Sequence, residues 1–267
     1  PNTKIYEAHT PPILCSGIRC RYFKILLQVT MDPNSGNSRP AIEDFMACLE
    51  QCTISTPPPP LACGRRYVRV SKLKQWLESG TNLRGDRTTQ TTRLLEHAYR
   101  HREHRPLIDR NKLFQKENPC IIVFVILLTM GSGWLVDRFH SLHLTDAKLP
   151  IHLGTLQKQL KEMAGRRILK ESDPSPDELA ETFNKTQWQF CPAKFNGEFD
   201  EYLDIDRVIP IQKKELISEK GGTAKLWQIA VLEEFVGREL QQAVPHARYD
   251  DKEDGLGPVR QIFRKVL

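Results

Sequence analysis

The stretch EKGGTAKLWQIAV, from Glu219 to Val231, decides how the fold of this chain is interpreted. On both sides of the Gly221-Gly222 pair, apolar and polar side chains alternate, as is typical of half-buried β-strands. Two adjacent glycines between such runs favour a tight turn, because glycine adopts the backbone angles that hairpin turns require. The stretch therefore predicts a β-hairpin, and the segments around it bear on whether the turn also contacts a nucleotide phosphate.

The spacing of apolar residues divides the chain into three parts. Residues 1–64 are predicted to be a poorly ordered leader and Pro-rich linker, in which Ser55–Pro60 favours polyproline helix and Ala41–Cys52 could form a short amphipathic helix. Residues 65–204 show helical spacing, whereas residues 205–267 alternate as strands do. We therefore predict an α+β fold, with a helix-rich N-terminal domain followed by a small antiparallel β segment.

Helical segments are predicted between residues 65 and 204 from apolar residues three or four positions apart and from capping residues at the segment ends. They are Val70–Ser79, the region Thr88–Arg105, Ile121–Leu128, Leu153–Arg167 and Pro176–Lys185. An aromatic cluster follows them, and it is predicted to lie at the boundary between the helical and β parts. Its members are Phe183, Trp188, Phe190 and Phe195.

Composition narrows the classes of partner and compartment. The 39 Lys and Arg residues against 33 Asp and Glu give a net charge of +6 that is spread along the chain, so nucleic acid is not a favoured partner. The very apolar run Cys120–Met130 is shorter than the roughly 20 residues that a membrane span needs, so it predicts a buried core helix and no membrane association. Seven cysteines without a C-x-x-C pair predict reduced thiols in an intracellular protein, cytoplasmic or nuclear.

Few residues form a pattern that is known to carry chemistry. Cys48 and Cys52 would share one helix face, but structural zinc sites show tighter cysteine pairs, so buried or free thiols are predicted. His97, His101 and His104 have helical spacing without an H-E-x-x-H pattern, which favours a solvated basic face. The sequence contains neither a Walker A loop nor a G-x-S-x-G motif, so we predict no catalytic residue and no metal ligand.

Five segments in a fixed order carry a resemblance to one known family. They are RRYVRVSKLKQWL (Arg65–Leu77), NPCIIVFVILLTMGSGWLVDRF (Asn118–Phe139), LTDAKLPI (Leu144–Ile151), QWQFCPAKF (Gln187–Phe195) and IPIQKKELISEKGGTAKLWQIAVLEEFV (Ile209–Val236). Their succession resembles the large fungal protein-kinase-like family, in which a helical N-terminal region leads into a kinase domain. With the terminal strand described below, the resemblance spans most of residues 65–267 and leaves residues 1–64 uncovered.

The resemblance implies that Leu216–Val231 is the first hairpin of a kinase N-lobe, whose glycine-rich turn covers the ATP phosphates with backbone N–H groups. On the family pattern G-x-G-x-x-G-x-V, Glu219, Gly221 and Ala224 take the three glycine positions and Leu226 takes that of the valine. Only the middle glycine is kept. A glutamate at the first position places negative charge near the phosphates, which opposes their binding.

The last predicted strand, LGPVRQIFRKVL at residues 256–267, is similar to the kinase strand that carries the phosphate-anchoring lysine. The resemblance thereby assigns that role to Lys265. A long helical and acidic insertion separates this strand from the hairpin, as in the family. The nucleotide-binding residues that the resemblance implies are Gly221, Gly222, Ala224, Leu226 and Lys265.

In the family, the αC glutamate, the catalytic aspartate and the magnesium-binding aspartate follow the lysine strand. The resemblance therefore implies that these 267 residues by themselves do not transfer phosphate, and that ATP and Mg²⁺ are expected only for a complete kinase domain. The predicted function is the N-terminal portion of a Ser/Thr-type protein-kinase-like protein. The alternative is a non-catalytic helical module that binds an unidentified protein partner and carries a vestigial kinase-like tail.

Overall fold

The computed structural model shows a mixed α+β fold with small antiparallel sheets, which confirms the predicted class at that level. It describes residues 40–58, 63–83, 86–102, 108–165, 173–196, 204–218, 225–243, 248–251 and 257–266. Ala41–Leu267 forms one compact unit. The helices occupy mainly the first two thirds of this unit, and the largest sheet occupies the last third.

The helices of the described chain are four to thirteen residues long. They are α1 (Ala41–Cys52), α2 (Val70–Glu78), α3 (Gln90–Tyr99), α4 (Arg110–Leu113), α5 (Ile121–Thr129), α6 (Val136–Ser141), α7 (Leu153–Gly165), α8 (Pro176–Gln187) and α9 (Arg238–Ala243). Short 3₁₀ turns lie at Gly133–Leu135, Asp146–Lys148 and Glu233–Phe235. Helices thus lie in each of the five regions where the sequence predicted them between residues 65 and 204.

Antiparallel strand pairs make up the remaining regular structure of the described residues. The strands are β1 (Thr53–Ser55), β2 (Arg66–Val68), β3 (Gly80–Leu83), β4 (Asp86–Thr89), β5 (Ile211–Ser218), β6 (Lys225–Leu232), β7 (Arg248–Asp251) and β8 (Gly257–Val266). Two two-stranded sheets are formed by β1 with β2 and by β3 with β4, and the largest sheet has the strand order β5-β6-β8-β7. The antiparallel pairing of β5 with β6 is the predicted hairpin.

Helix α5 forms the centre of the helical core. Seven of its nine residues are buried, and its own apolar side chains point outward on all sides of the helix. It packs against α6, α8 and the turn Gly133–Leu135, and α6 contacts α8 through the stacked rings of Phe139 and Phe183. The prediction of a buried core helix is confirmed. Within the described ranges, no helix combines the length and the apolar character that a membrane crossing requires.

Helix α1 belongs to the same core, although residues 1–64 were expected to be a poorly ordered leader and linker. The helix buries one apolar face and packs against α2 and α3. Phe45 is fully buried and lies 6.4 Å from Trp76 between ring centroids, while Asp44 pairs with Arg93 at 3.2 Å. This partner surface on α2 and α3 is what turns an amphipathic segment into a stable helix, because isolated short helices are marginal in water.

One hydrophobic cluster spans the boundary between the helical part and the largest sheet. Tyr67 on β2 is fully buried and meets the Phe235 ring edge to face, with 5.3 Å between centroids. Residues 229–232 of β6 are all buried in this cluster. The segment after α8 ties the two parts further, since the Phe195 N–H donates to the Phe235 carbonyl at 2.8 Å. The predicted division into domains at residues 204 and 205 stays a prediction, but a shared core crosses it.

Candidate functional site

The predicted nucleotide-binding residues fall into two groups. Gly221, Gly222 and Ala224 lie outside the described residues. Leu226 is the second residue of β6, and Lys265 is the second-last residue of β8. The register of the sheet places Leu226 directly opposite Lys265, so the structure brings the two described members of the predicted site together.

This pairing fixes which end of the sheet carries Lys265. Leu226 is also the register partner of Ser218, the last residue of β5. Three neighbouring strands therefore meet at the end where the chain passes from β5 to β6, and adjacent strands lie about 4.8 Å apart. Lys265 lies one row from Val266, whose partner Lys225 is the first residue of β6, so Lys265 is at the sheet end that the β5–β6 connection joins.

The other end of β8 carries a buried ion pair that the sequence did not predict. The Arg260 side chain is only 8% exposed, and its Nη2 and Nε donate to Glu233 Oε1 at 2.7 and 3.2 Å. Its Nη1 donates to the main-chain carbonyl of Gln241 at 3.1 Å. These contacts join β8 to the turn after β6 and to α9. A buried guanidinium without such partners would be strongly destabilising.

A cleft of about 310 Å³ lies beside this ion pair, between the start of α2 and the turn that follows β6. It is lined by Arg69, Ser71, Leu232, Glu233, Glu234 and Gln241. One basic and two acidic side chains line it, and the Gln241 amide donates to the Glu233 and Val236 carbonyls at 3.1 and 2.7 Å. Arg69 pairs with Glu234 across the cleft at 3.2 Å, so the cleft walls join the start of α2 to the turn after β6.

Glu234 caps α2 from a distant part of the chain. Arg69, at the N-cap position, supplies no side-chain cap to the helix. Instead Glu234 Oε2 accepts the Ser71 N–H at 3.2 Å and the Ser71 hydroxyl at 2.5 Å, and Glu234 Oε1 accepts Arg69 Nε at 3.2 Å. A carboxylate at a helix N-terminus satisfies an orphan N–H and interacts favourably with the helix dipole. This contact fixes the start of α2 against the sheet.

Two thiols lie side by side in the last turns of α1. Cys48 and Cys52 occupy one helix face, as predicted, and their sulfurs are 3.9 Å apart. Both are free thiols. The hydrogen bond from the Cys48 thiol lowers the pKa of Cys52 to about 7, and the cations Lys72 and Arg69 add to this shift, whereas burial and the Glu234 carboxylate oppose it. The same hydrogen bond, together with burial, raises the pKa of Cys48.

The histidine pattern differs in part from the predicted solvated face. His101 is exposed, and His104 lies outside the described residues. His97 is half-buried, and its Nδ1 is buried without a hydrogen-bond partner in the described structure. Burial lowers the pKa of His97, and the nearby Arg100 and His101 lower it further. A helical spacing of three and four residues cannot place His97 and His101 in the same environment when the helix ends between them at Tyr99.

Among the residues that the structure describes, no three or more His, Cys, Asp or Glu side chains lie together in a way that could hold a metal ion. Asp137, near the histidine helix, instead accepts the hydroxyl of Tyr99 at 2.5 Å. Burial and this hydrogen bond raise the pKa of Tyr99. The contact connects α3 to α6, so it stabilises the packing of these two helices.

The cleft residues were missed by the sequence analysis because their contacts join distant positions. Arg69 and Glu234 are 165 residues apart in the chain, and Arg260 and Glu233 are 27 apart. The one local signal is the pair Glu233-Glu234, which interrupts an apolar run directly after a predicted strand. Such a pair predicts charge near the strand end but does not identify its partners.

Comparison of the chain with protein-family models, with curated proteins and with solved structures gives no match.

Proposed function

We propose that this chain is the N-terminal portion of a protein-kinase-like protein and that β5, β6 and β8 are the first strands of its N-lobe. In this proposal the connection between β5 and β6 covers nucleotide phosphates, and Lys265 anchors them. The observation that carries it is the register of the sheet, in which Lys265 lies opposite Leu226 at the end next to that connection. The proposed setting is intracellular, with a protein as substrate or partner.

The physical argument concerns the meeting of two kinds of donor. Backbone N–H groups of a glycine-containing connection and a lysine ammonium can bind one phosphate chain only if they lie at the same sheet end. The strand order β5-β6-β8 supplies this adjacency without a strand between the hairpin and the lysine strand. The buried pair of Arg260 with Glu233 holds the opposite end of β8 in place.

The residues that would hold a nucleotide are the predicted set, of which Leu226 and Lys265 have described positions. Bound ATP with Mg²⁺ supplies a transferable phosphoryl group and neutralises part of its charge. Lys265 would hold a phosphate, and the glycine-containing connection would limit the access of water to it. The groups that carry out transfer follow the lysine strand in the family, so the appropriate test of this chain is binding.

A lysine-reactive nucleotide tests the proposal directly. In an acyl phosphate of ATP, a nearby lysine amine attacks the acyl carbonyl, forms an amide, loses a proton and releases the nucleotide. The full chain is incubated with this probe and Mg²⁺, and the labelled lysines are located by peptide mass spectrometry. We expect labelling at Lys265 that excess ATP suppresses and that Lys265→Arg abolishes.

Lys213 provides the matched control on the same sheet. Lys213 on β5 lies opposite Ala230 on β6, and Ala230 lies opposite Gln261 on β8. Lys213 is therefore in the row of Gln261, four residues along β8 from Lys265. This corresponds to about 13 Å of strand. Labelling of Lys265 that equals labelling of Lys213, or that excess ATP leaves unchanged, would refute the nucleotide role.

The alternative function, a protein-interaction module, has weaker structural support. Ile205 is 87% exposed and Ile217 on the edge strand β5 is partly exposed, and these are the large apolar side chains that the described surface presents most openly. Single exposed apolar residues are ordinary on protein surfaces, so they do not define a docking patch. The kinase-like proposal rests on the placement of a specific residue and is therefore preferred.

A further inference from the structure

The paired thiols at the end of α1 are the group of reactive side chains that the nucleotide proposal does not use. Cys48 and Cys52 lie on successive turns of one helix, with sulfurs 3.9 Å apart. Cys52 is fully buried, whereas Cys48 retains 9% exposure. At this separation the two thiols contact each other directly, so the chemistry of one depends on the other.

We propose that Cys48 and Cys52 are a redox-active dithiol that closes reversibly into an intrahelical disulfide. The bond would form between the two sulfurs, and each thiol would lose its hydrogen. A hydroperoxide is a sufficient oxidant, since one molecule of hydrogen peroxide accepts two electrons and both protons and leaves as two molecules of water. This proposal is independent of nucleotide binding.

The backbone geometry permits closure with local distortion. Residues four apart in an α-helix have Cβ atoms about 5–6 Å apart, whereas a disulfide brings Cβ atoms to about 3.5–4.5 Å and sulfurs to about 2.05 Å. The sulfurs of Cys48 and Cys52 must therefore approach by nearly half of their present separation of 3.9 Å. The last turns of α1 have to tighten for this to happen, so oxidation must change the end of the helix.

The electrostatic surroundings favour thiolate chemistry at Cys52. The thiolate, rather than the thiol, is the nucleophile in disulfide formation. The hydrogen bond from Cys48 and the positive charges of Lys72 and Arg69 outweigh burial and the negative charge of Glu234, so the pKa of Cys52 is lowered to about 7. Cys48 is buried at 9% exposure and Cys52 at 0%, so a small oxidant should reach the pair through Cys48 more readily than a large one. We therefore expect small peroxides to oxidise the pair faster than glutathione disulfide does.

The end of α1 is connected to the cleft by backbone contacts. The Arg69 N–H donates to the Cys52 carbonyl at 2.8 Å, and Thr53 begins the strand β1 that pairs with β2. Arg69 in turn contacts Glu234, which caps α2. A tightened last turn would displace the carbonyl to which Arg69 donates. Oxidation should therefore weaken the protection of the Arg69 amide from hydrogen exchange.

The test measures the state of each cysteine in the native full-length chain. The chain is equilibrated in glutathione buffers from reducing to oxidising, quenched with acid, then unfolded in excess N-ethylmaleimide near neutral pH and digested at glutamate residues. Cleavage after Glu50 separates Cys48 from Cys52 unless a disulfide joins them. We expect the joined product, lighter by two hydrogen atoms, to appear with oxidation, to disappear with dithiothreitol and to be accompanied by faster exchange at Arg69.

Cys120→Ser is the matched control, because Cys120 is a buried thiol in another part of the core. It should leave the joined product unchanged, whereas Cys48→Ser and Cys52→Ser should abolish it. Circular dichroism verifies that each chain is folded during oxidation. Full alkylation of Cys48 and Cys52 at the oxidising end of the series, or a product that joins Cys52 to Cys63 instead, would overturn the proposal.

Discussion

Replacement of Asp146 by alanine should destabilise the chain by about 2–4 kcal/mol, because this side chain caps the central helix α5. Its Oδ1 accepts the Ile122 and Val123 N–H groups at 2.9 and 3.1 Å, and Oδ2 lies 3.1 Å from the Ile122 nitrogen. The side chain is only 6% exposed, so water cannot replace it freely. The magnitude combines the usual loss of a cap with the desolvation cost of two orphaned donors at about 1–3 kcal/mol each, reduced by relaxation.

Asparagine at position 146 separates the hydrogen bonds from the charge. It keeps a cap acceptor and should cost less than about 1 kcal/mol. Burial raises the pKa of Asp146, with the N–H groups of Val123 and Ile122 opposing the shift. A raised folded-state pKa means that its contribution to stability is fully present below the unfolded pKa and is lost as pH rises through the folded pKa. Asparagine does not ionise, so the stability of Asp146→Asn should rise relative to that of the wild type as pH rises from about 3.9.

Urea unfolding followed by tryptophan fluorescence measures both effects, at neutral pH and near the pKa of a free aspartate. The surface variant Asp206→Ala is the control, because Asp206 is more than half exposed and meets Arg65 only at 4.0 Å. It should stay within about 0.5 kcal/mol of the wild type. Equal destabilisation by Asp146→Ala and Asp146→Asn would refute the capping argument, since only alanine removes the acceptor.

Three further predictions concern buried polar groups. Arg260→Met leaves the Glu233 carboxylate without its main ion-pair partner and should lower the free energy of unfolding in urea by about 3–5 kcal/mol. An unchanged free energy of unfolding would show that the pair does not stabilise the fold. The Gln187 amide binds both the N–H and the carbonyl of Ile151, at 2.7 and 2.8 Å. Gln187→Leu removes both hydrogen bonds and should lower the free energy of unfolding by about 2–4 kcal/mol. Gln187→Glu should lower it less at acidic pH than at neutral pH. The pKa of His97 is lower in the folded chain than in the unfolded chain, so the wild type should lose stability as pH falls below about 6.5. His97→Gln should make the free energy of unfolding nearly independent of pH in that range. If the free energy of unfolding of the wild type did not change there, the histidine would not be effectively buried.

The elements that the sequence predicted best are those whose signal is contained within a few adjacent residues. The continuous apolar run of α5 and the alternating runs of β5 and β6 specify their own type, because each pattern matches the period of one structure. The start of α8 at Pro176 was likewise predicted, and in the structure the Ser175 oxygen accepts the Glu178 N–H at 3.2 Å. Local chemistry was sufficient in these cases.

The remaining features depend on contacts that no local pattern contains. The amphipathic pattern of α1 indicated a helix, but its place in the core depends on Trp76 and Arg93, which lie on two later helices. The capping of α2 by Glu234 depends on how the sheet packs on the helical part. The roles predicted for Lys265 and Leu226 came from a family resemblance, whereas the register that places them opposite each other is set by the pairing of β6 with β8.

Arg69 connects the features at one side of the sheet, while Lys265 lies at the other. The backbone of Arg69 binds the end of α1 and its side chain binds Glu234, whose neighbour Glu233 holds Arg260 on β8. Arg260 and Lys265 are five residues apart on one strand, which is about 17 Å. An effect of the dithiol on nucleotide contact would therefore have to pass along strands that are fixed by continuous backbone pairing from Leu226 to Leu232. Because such a ladder has no second arrangement in this structure to switch to, we expect oxidation and nucleotide contact to be energetically independent, and each proposal stands or fails by its own experiment.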